Sequence, residues 1–147
     1  MGWVVQRHGE LYWKEFGYDE RFEALVAGIV ARFIGRYDAR RERCWIAERG
    51  GGRLGAVFLV KQSTRVAKLR LLILDPEARG RGIGRRLVAA CVRFARAAGY
   101  RKLVLWTQSE LTAARAIYEK AGFRKVGEER HRSFGKSLIG EYWELRL

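Results

Sequence analysis

The stretch Leu71-Leu72-Ile73-Leu74-Asp75-Pro76-Glu77-Ala78-Arg79-Gly80-Arg81-Gly82-Ile83-Gly84-Arg85-Arg86-Leu87 admits few backbone solutions. Its apolar head closes a strand that the pattern places over Val66–Leu74. The chain's one proline then ends that strand, because proline cannot donate to a ladder and restricts the residue before it. Three glycines in five residues follow, and glycine lets the main chain turn tightly and approach a ligand without Cβ interference. A helix is predicted at once, over Gly84–Ala98, with Ile83, Leu87, Cys91, Phe94 and Ala98 on one side. A strand, a glycine loop and a helix in direct succession commit the chain to an α/β arrangement.

The same stretch predicts a site. The unpaired N–H groups at a helix start, aided by the helix dipole, attract anions. Arg79, Arg81, Arg85 and Arg86 add positive charge around them. Two familiar phosphate loops are excluded by spacing. The Gly-Lys-Ser/Thr ending of a nucleotide P-loop is missing. Gly80-Arg81-Gly82-Ile83-Gly84 does not read Gly-x-Gly-x-x-Gly, and no acidic residue stands about 20 positions later on a strand end. What remains is Arg79-x-x-Gly82-x-Gly84, a cradle for a diphosphate.

Elsewhere the pattern alternates between the two periodicities. Trp3-Val4-Val5 reads as a short opening strand. Phe22, Leu25, Val26, Ile29, Val30 and Phe33 fall on one face of a helix that Asp19 can cap. Cys44–Ala47 and Leu54–Val60 read as strands around the hairpin turn Arg49-Gly50-Gly51-Gly52-Arg53. Lys102–Thr107 reads as a strand and Thr112–Ala121 as a helix. Phe123–Glu129 and Glu141–Leu147 complete the chain as strands joined by a loop around Ser133–Ser137. No proline-rich linker, repeat or low-complexity segment divides the 147 residues, so a single domain over 1–147 is expected.

Composition narrows the class. With 48% hydrophobic residues and plentiful aromatics the chain does not read as disordered. No apolar run approaches the roughly 20 residues of a spanning helix, and no leader-like segment opens the sequence. A cytoplasmic location without membrane association is therefore expected. Two cysteines and two histidines show no zinc-ligand spacing, so no metal is expected. The net charge of +14 invites a nucleic-acid reading. Yet eight basic residues and no acidic one lie between Arg79 and Lys102, around the glycine loop itself. That clustering suits a small phosphorylated ligand as readily as a polymer.

The glycine segment resembles the acetyl-CoA-binding motif of the GNAT superfamily of N-acyltransferases, Arg/Gln-x-x-Gly-x-Gly/Ala. Ala114-Arg115-Ala116-Ile117-Tyr118-Glu119-Lys120-Ala121-Gly122-Phe123 is similar to the closing helix of that family. The two motifs stand in the family's order and at its separation. Gly2-Trp3-Val4-Val5-x-Arg7-His8-Gly9-x-Leu11-Tyr12 and Glu15-Phe16-Gly17-Tyr18-Asp19 further resemble the acetyltransferase half of bacterial fusions to a MarR-type regulator; no regulator segment is expected within the chain. The resemblance implies a mixed, mostly antiparallel sheet of about six to seven strands flanked by about four helices.

It also implies a cosubstrate, acetyl-CoA, and transfer of acetyl to a primary amine of a small molecule or a protein lysine. Direct attack in a ternary complex is implied, since no cysteine is placed to carry an acyl group. Backbone groups of Leu72, Ile73 and Leu74 would line the pantetheine. Arg79, Gly80, Arg81, Gly82, Ile83, Gly84 and Arg85 would hold the pyrophosphate. Tyr118 would protonate the leaving thiolate, a phenol of pKa about 10 facing a thiol of about 8.5; packing in the core is its other reading. The general base stays open. Where relatives carry a glutamate, this strand offers Lys68, Arg70 and, at its end, Asp75; Glu48 or an ordered water are alternatives. Leu111 stands where relatives carry a CoA-contacting asparagine, with Ser109 as a substitute. Trp13, Phe16 and Tyr18 are candidate walls of the acceptor site. A non-catalytic basic module that binds nucleic acid is the alternative function, and a homodimer is one open arrangement.

Overall fold

The computed structural model describes residues 1–147. The chain begins with two helices, α1 (Gly2–Phe16) and α2 (Glu20–Arg36), and continues with strands β1 (Arg43–Arg49), β2 (Gly52–Lys61) and β3 (Val66–Leu74). After a 3₁₀ turn at Pro76–Ala78 come α3 (Ile83–Ala97), β4 (Lys102–Gln108), α4 (Thr112–Lys120), β5 (Arg124–Ser133) and β6 (Lys136–Arg146). This is the expected α/β fold, with six strands and four helices.

The opening strand is a correction: Trp3, Val4 and Val5 lie in α1. Two adjacent valines favour a strand locally, but the buried residues Val4, His8 and Leu11 recur at helical intervals. Burial of that stripe against α2 and the sheet outweighs a three-residue preference. Gly17 ends α1 in the left-handed conformation (φ 71°), and its N–H bonds to the Trp13 carbonyl. Asp19 then caps α2 through the Arg21 N–H, as expected. The last hairpin is tighter than the sequence suggested. β5 and β6 pair as far as Ser133 and Lys136, which leaves Phe134 and Gly135 as the turn.

The six strands lie in the order β1-β2-β3-β4-β6-β5, and only β3 and β4 run parallel. One apolar layer fills the space between sheet and α3/α4, including Leu69, Leu72, Leu87, Val88, Cys91, Leu103 and Trp143. A second, including Val4, Val26, Phe33, Phe58 and Ile73, lies beneath α1 and α2.

One irregularity in the sheet positions everything that follows. Between the pairs Phe58↔Arg70 and Ala56↔Ile73, two residues of β3 face one of β2, and Leu71 takes φ 55°. This β-bulge bends the strand and reverses the faces its side chains occupy. Ala67 and Leu69 precede it and Leu72 follows it on the same α3 side. β3 leaves its other neighbour before the bulge, for pairing with β4 covers only Val66–Lys68 against Lys102–Val104. The sheet opens into a cleft at the carboxyl ends of its parallel strands.

Candidate active site

The anion cradle forms where β3 enters α3. Asp75 Oδ1 accepts from the Glu77 N–H at 3.2 Å and caps the 3₁₀ turn. Gly80 (φ 77°) and Gly82 (φ 76°) then adopt left-handed conformations. Gly82 is the N-cap of α3; no side chain caps that end and no acidic residue occupies its first turn. Its leading N–H groups are thus unclaimed by side chains. Gly84 has a different role: a Cβ there would stand 2.7 Å from Ile117 Cδ1 and 2.9 Å from Leu74 Cδ1. Its bare backbone lets α3 pack closely against β3 and α4.

Three cavities run from this point. An open groove of about 620 Å³ follows α3, lined by Arg81, Gly82, Arg85, Arg86, Arg93, Arg96, Ile117 and Lys120 among others. It places Arg93 and Arg96 beside the cradle arginines. A narrower slot of about 160 Å³ is bordered by Leu72, Ile73, Leu74 and Arg79 on one side and by Glu110, Leu111, Thr112, Ala113, Ala114 and Ile117 on the other. Past it lies an aromatic cavity of about 150 Å³, with Tyr12, Tyr18, Phe22, Trp106, Tyr118 and Phe134 in its wall. Groove and slot share Ile117, whereas slot and cavity share Tyr12, Leu72, Leu111 and Ala114. The three are thus neighbours along the split in the sheet, each sharing a wall with the next.

The sequence candidates separate cleanly along this split. Leu72, Ile73, Leu74 and Arg79 border the slot; Arg81, Gly82 and Arg85 border the groove, with Gly80, Ile83 and Gly84 in the same loop and helix start. Tyr118 is buried at 5% exposure, packs on Phe123 (ring centroids 5.9 Å) and lines the aromatic cavity. It belongs both to the core and to the candidate site. Burial pushes its hydroxyl well above the ordinary 10, with Tyr12 and Cys91 adding smaller effects in the same direction. Phe16 borders the slot and Tyr18 the cavity, but Trp13 is 65% exposed and borders neither. Glu48 is exposed at the end of β1, beside Arg49, Arg81 and Arg86, and does not line the cavity. Asp75 is engaged by Arg7 at 2.8 Å. Leu111 borders both slot and cavity; Ser109 borders neither.

Several residues in the site went unread in the sequence. His8 is buried in α1, and its Nδ1 lies 2.7 Å from the Val4 carbonyl oxygen. A carbonyl only accepts, so Nδ1 carries the proton and Nε2 keeps a free lone pair. Burial lowers the His8 pKa to about 4, against a smaller opposing effect of the Val4 carbonyl. Gln108 accepts from His131 Nε2 at 2.8 Å, and Gln108 borders the cavity. Arg79 is bound by Glu15 at 2.7 Å, so the last turn of α1 is tied to the cradle. The helical interval from Val4 to His8 to Leu11 was the available signal for His8.

Comparison with known proteins bears on the family and the fold. Residues 6–123 match the acetyltransferase (GNAT) family. Human N-acetyltransferase 8 is 35% identical over 98 residues, which are 63% of this chain and 43% of that protein. The chain thus spans about two-fifths of the curated relatives such as this one. The crystal structure of an acetyltransferase from Streptococcus agalactiae 2603 superposes with a TM-score of 0.80 at 19% identity, covering 99% of this chain and 90% of the other. A GNAT family acetyltransferase from Elizabethkingia anophelis, solved with acetyl-CoA bound, gives a TM-score of 0.66 at 17% identity over 82% of each chain. At such identities the structural matches speak for the fold.

Proposed function

Because the chain belongs to the acetyltransferase (GNAT) family, we propose that it is an N-acetyltransferase that moves acetyl from acetyl-CoA to a primary amine by direct attack. The observation that carries this reading is the succession of an uncapped helix start at the glycine loop, a slot edged by β3 backbone that β4 leaves unpaired, and an aromatic cavity that shares a wall with that slot. Its parts fit the parts of the cosubstrate. The open N-terminus of α3, with Arg81 and Arg85, would hold the pyrophosphate. The β4-facing backbone groups of Leu72–Leu74, which lie past the end of the β3–β4 ladder, would bond the amides of the pantetheine arm.

Bound acetyl-CoA would supply an activated thioester: the amine nitrogen forms a C–N bond, the C–S bond breaks, and CoA departs as a thiol. The remaining chemistry falls to this chain. A backbone N–H from the bulged end of β3, directed at the developing oxyanion, contributes a few kcal/mol. Tyr118 holds the proton that the departing sulfur takes up. Burial keeps the phenol protonated before the reaction, and the proton it gives to sulfur is replaced by the one that the acylated nitrogen releases. Glu48 has no part in this scheme. Cys91, buried at 0% exposure with its thiol pushed up by burial, has none either. The stretch Gly2–Asp19 supports kinship with the acetyltransferase halves of MarR-type fusions, and the reading places the enzyme in the cytoplasm.

Calorimetric titration with acetyl-CoA tests the core of the reading, with saturable binding at micromolar to low-millimolar ligand expected. Thiol release should then rise when a suitable amine is added. No heat and no release at millimolar acetyl-CoA would remove it.

A further inference from the structure

The buried side-chain polar atoms without a hydrogen-bond partner in this molecule are His8 Nε2, the Tyr18 hydroxyl and Trp106 Nε1. All three residues line the same aromatic cavity. Leaving a buried polar atom unpaired costs about 1–3 kcal/mol. The Tyr18 hydroxyl faces the Glu110 carboxylate and Trp106 Nε1 packs over the bare backbone of Gly140, so His8 Nε2 is the orphan whose bonding a ligand in the cavity would complete. That nitrogen offers a lone pair.

The charge of the cavity is one-sided. Lys68 and Arg70 reach it from the half of β3 before the bulge, and both are half-buried. Neither has a carboxylate within salt-bridge distance, and no acidic residue lines the cavity. Glu110 belongs to the adjoining slot and is neutralised by Lys136 Nζ at 3.0 Å. Burying cations without counter-charge is unfavourable, and an anionic ligand group would relieve it. Burial depresses the pKa of both cations, as expected of charges that lack a partner. The remaining wall, with Phe22, Leu25, Ile29 and Phe134, is apolar.

We propose that the acceptor is a free amino acid with an apolar or aromatic side chain, its amine held by His8 Nε2 and its carboxylate by Lys68 and Arg70. The proposal rests on the N-acetyltransferase reading and names its substrate class. The assignment of groups follows from what each side chain can do. A neutral imidazole accepts one amine N–H and leaves the nitrogen lone pair free to attack. A protonated imidazole would repel an ammonium, and the low His8 pKa keeps the ring neutral. Two cations suit a carboxylate, and the aromatic wall suits the side chain.

The test uses matched sets built on L-phenylalanine and L-leucine: the free acid, its amide and the decarboxylated amine. Acetyl-CoA titration comes first, because absent cosubstrate binding would sink the enzyme reading itself. With binding established, kcat/KM from thiol release and calorimetric affinity for the CoA-saturated enzyme are compared within each set. The free acids should lead by at least tenfold on both readouts. Lys68→Met with Arg70→Met should shrink that lead towards unity; if this pair fails to fold, Arg70→Gln and Lys68→Gln singly should each reduce it. Amides or decarboxylated amines that match or exceed the acids overturn the proposal and leave the acetyltransferase reading standing. So does a lead that survives the charge removals, or a failure of every probe to bind while acetyl-CoA does.

Discussion

At the scale of single residues, two side chains in the aromatic cavity carry opposite pKa shifts from one cause. Burial penalises charge, so the Tyr118 phenol stays protonated and the His8 imidazole stays neutral. Under the proposed mechanism, Tyr118→Phe removes the donor and keeps the ring. The expected outcome is a fall in kcat of about a hundredfold, with acetyl-CoA affinity by calorimetry nearly unchanged. His8 makes stability depend on pH. Unfolded, it takes up a proton near pH 6.5; folded, it waits until about 4. Between those values the unfolded state binds more protons, so stability falls as pH drops through that window. The loss should approach about 3 kcal/mol, at 1.36 kcal/mol per pKa unit. Urea unfolding of the parent and of His8→Leu at pH 7.5, 5.5 and 4.5 checks this, since the variant should lack that slope.

Among the elements, the bulge in β3 and the glycine start of α3 do separate work. β3 parts from β4 after Lys68 and the bulge re-aims its end along the slot, whereas the glycines expose main-chain donors at its outer end. Gly82 sits at φ 76° with open space around its Cα, so conformation and not room forbids a side chain there. Gly82→Ala should therefore cost about 1–2 kcal/mol in a thermal or urea melt. It should weaken acetyl-CoA binding more than it weakens the fold, because the strained loop presents its N–H groups less well. At Gly84 the limit is contact, where Ile117 and Leu74 leave no room for a methyl. These two demands were legible as a glycine-rich motif. Which glycine answered to which demand was not, since sequence shows neither φ nor neighbours.

On the scale of the whole molecule, long-range ion pairs hold the layers in the geometry the site needs. Arg7–Asp75 and Arg79–Glu15 fasten α1 to the cradle across the cleft. On the far side Glu141, only 2% exposed, receives Arg115 from α4 at 2.8 Å, Lys125 from β5 at 3.3 Å and the Trp143 indole at 3.1 Å. Burial opposes its charge, but these donors outweigh it and hold the carboxyl below its ordinary value. Its stabilisation is thus complete above about pH 4.5 and lost as pH falls through the lowered value. Glu141→Gln at neutral pH should destabilise by about 1–3 kcal/mol in urea, with the loss shared by α4 and the β5–β6 hairpin. A hydrogen-exchange experiment on those elements checks it.

The sequence alone determined the order of the α/β core from residue 19 onward, because apolar periodicity and glycine stops depend on neighbours a few positions apart. It also determined the cradle, whose chemistry lies in consecutive residues. Tertiary structure decided the rest. It turned Trp3-Val4-Val5 from a strand into a helix, by burying a stripe that only α2 and the sheet complete. It brought His8, Tyr18, Lys68, Arg70, Trp106 and Tyr118 around one cavity from four elements and a loop, and it left Glu48 outside. Such meetings depend on where a bulge bends a strand and which helices cross above it, and those are properties of the packed whole.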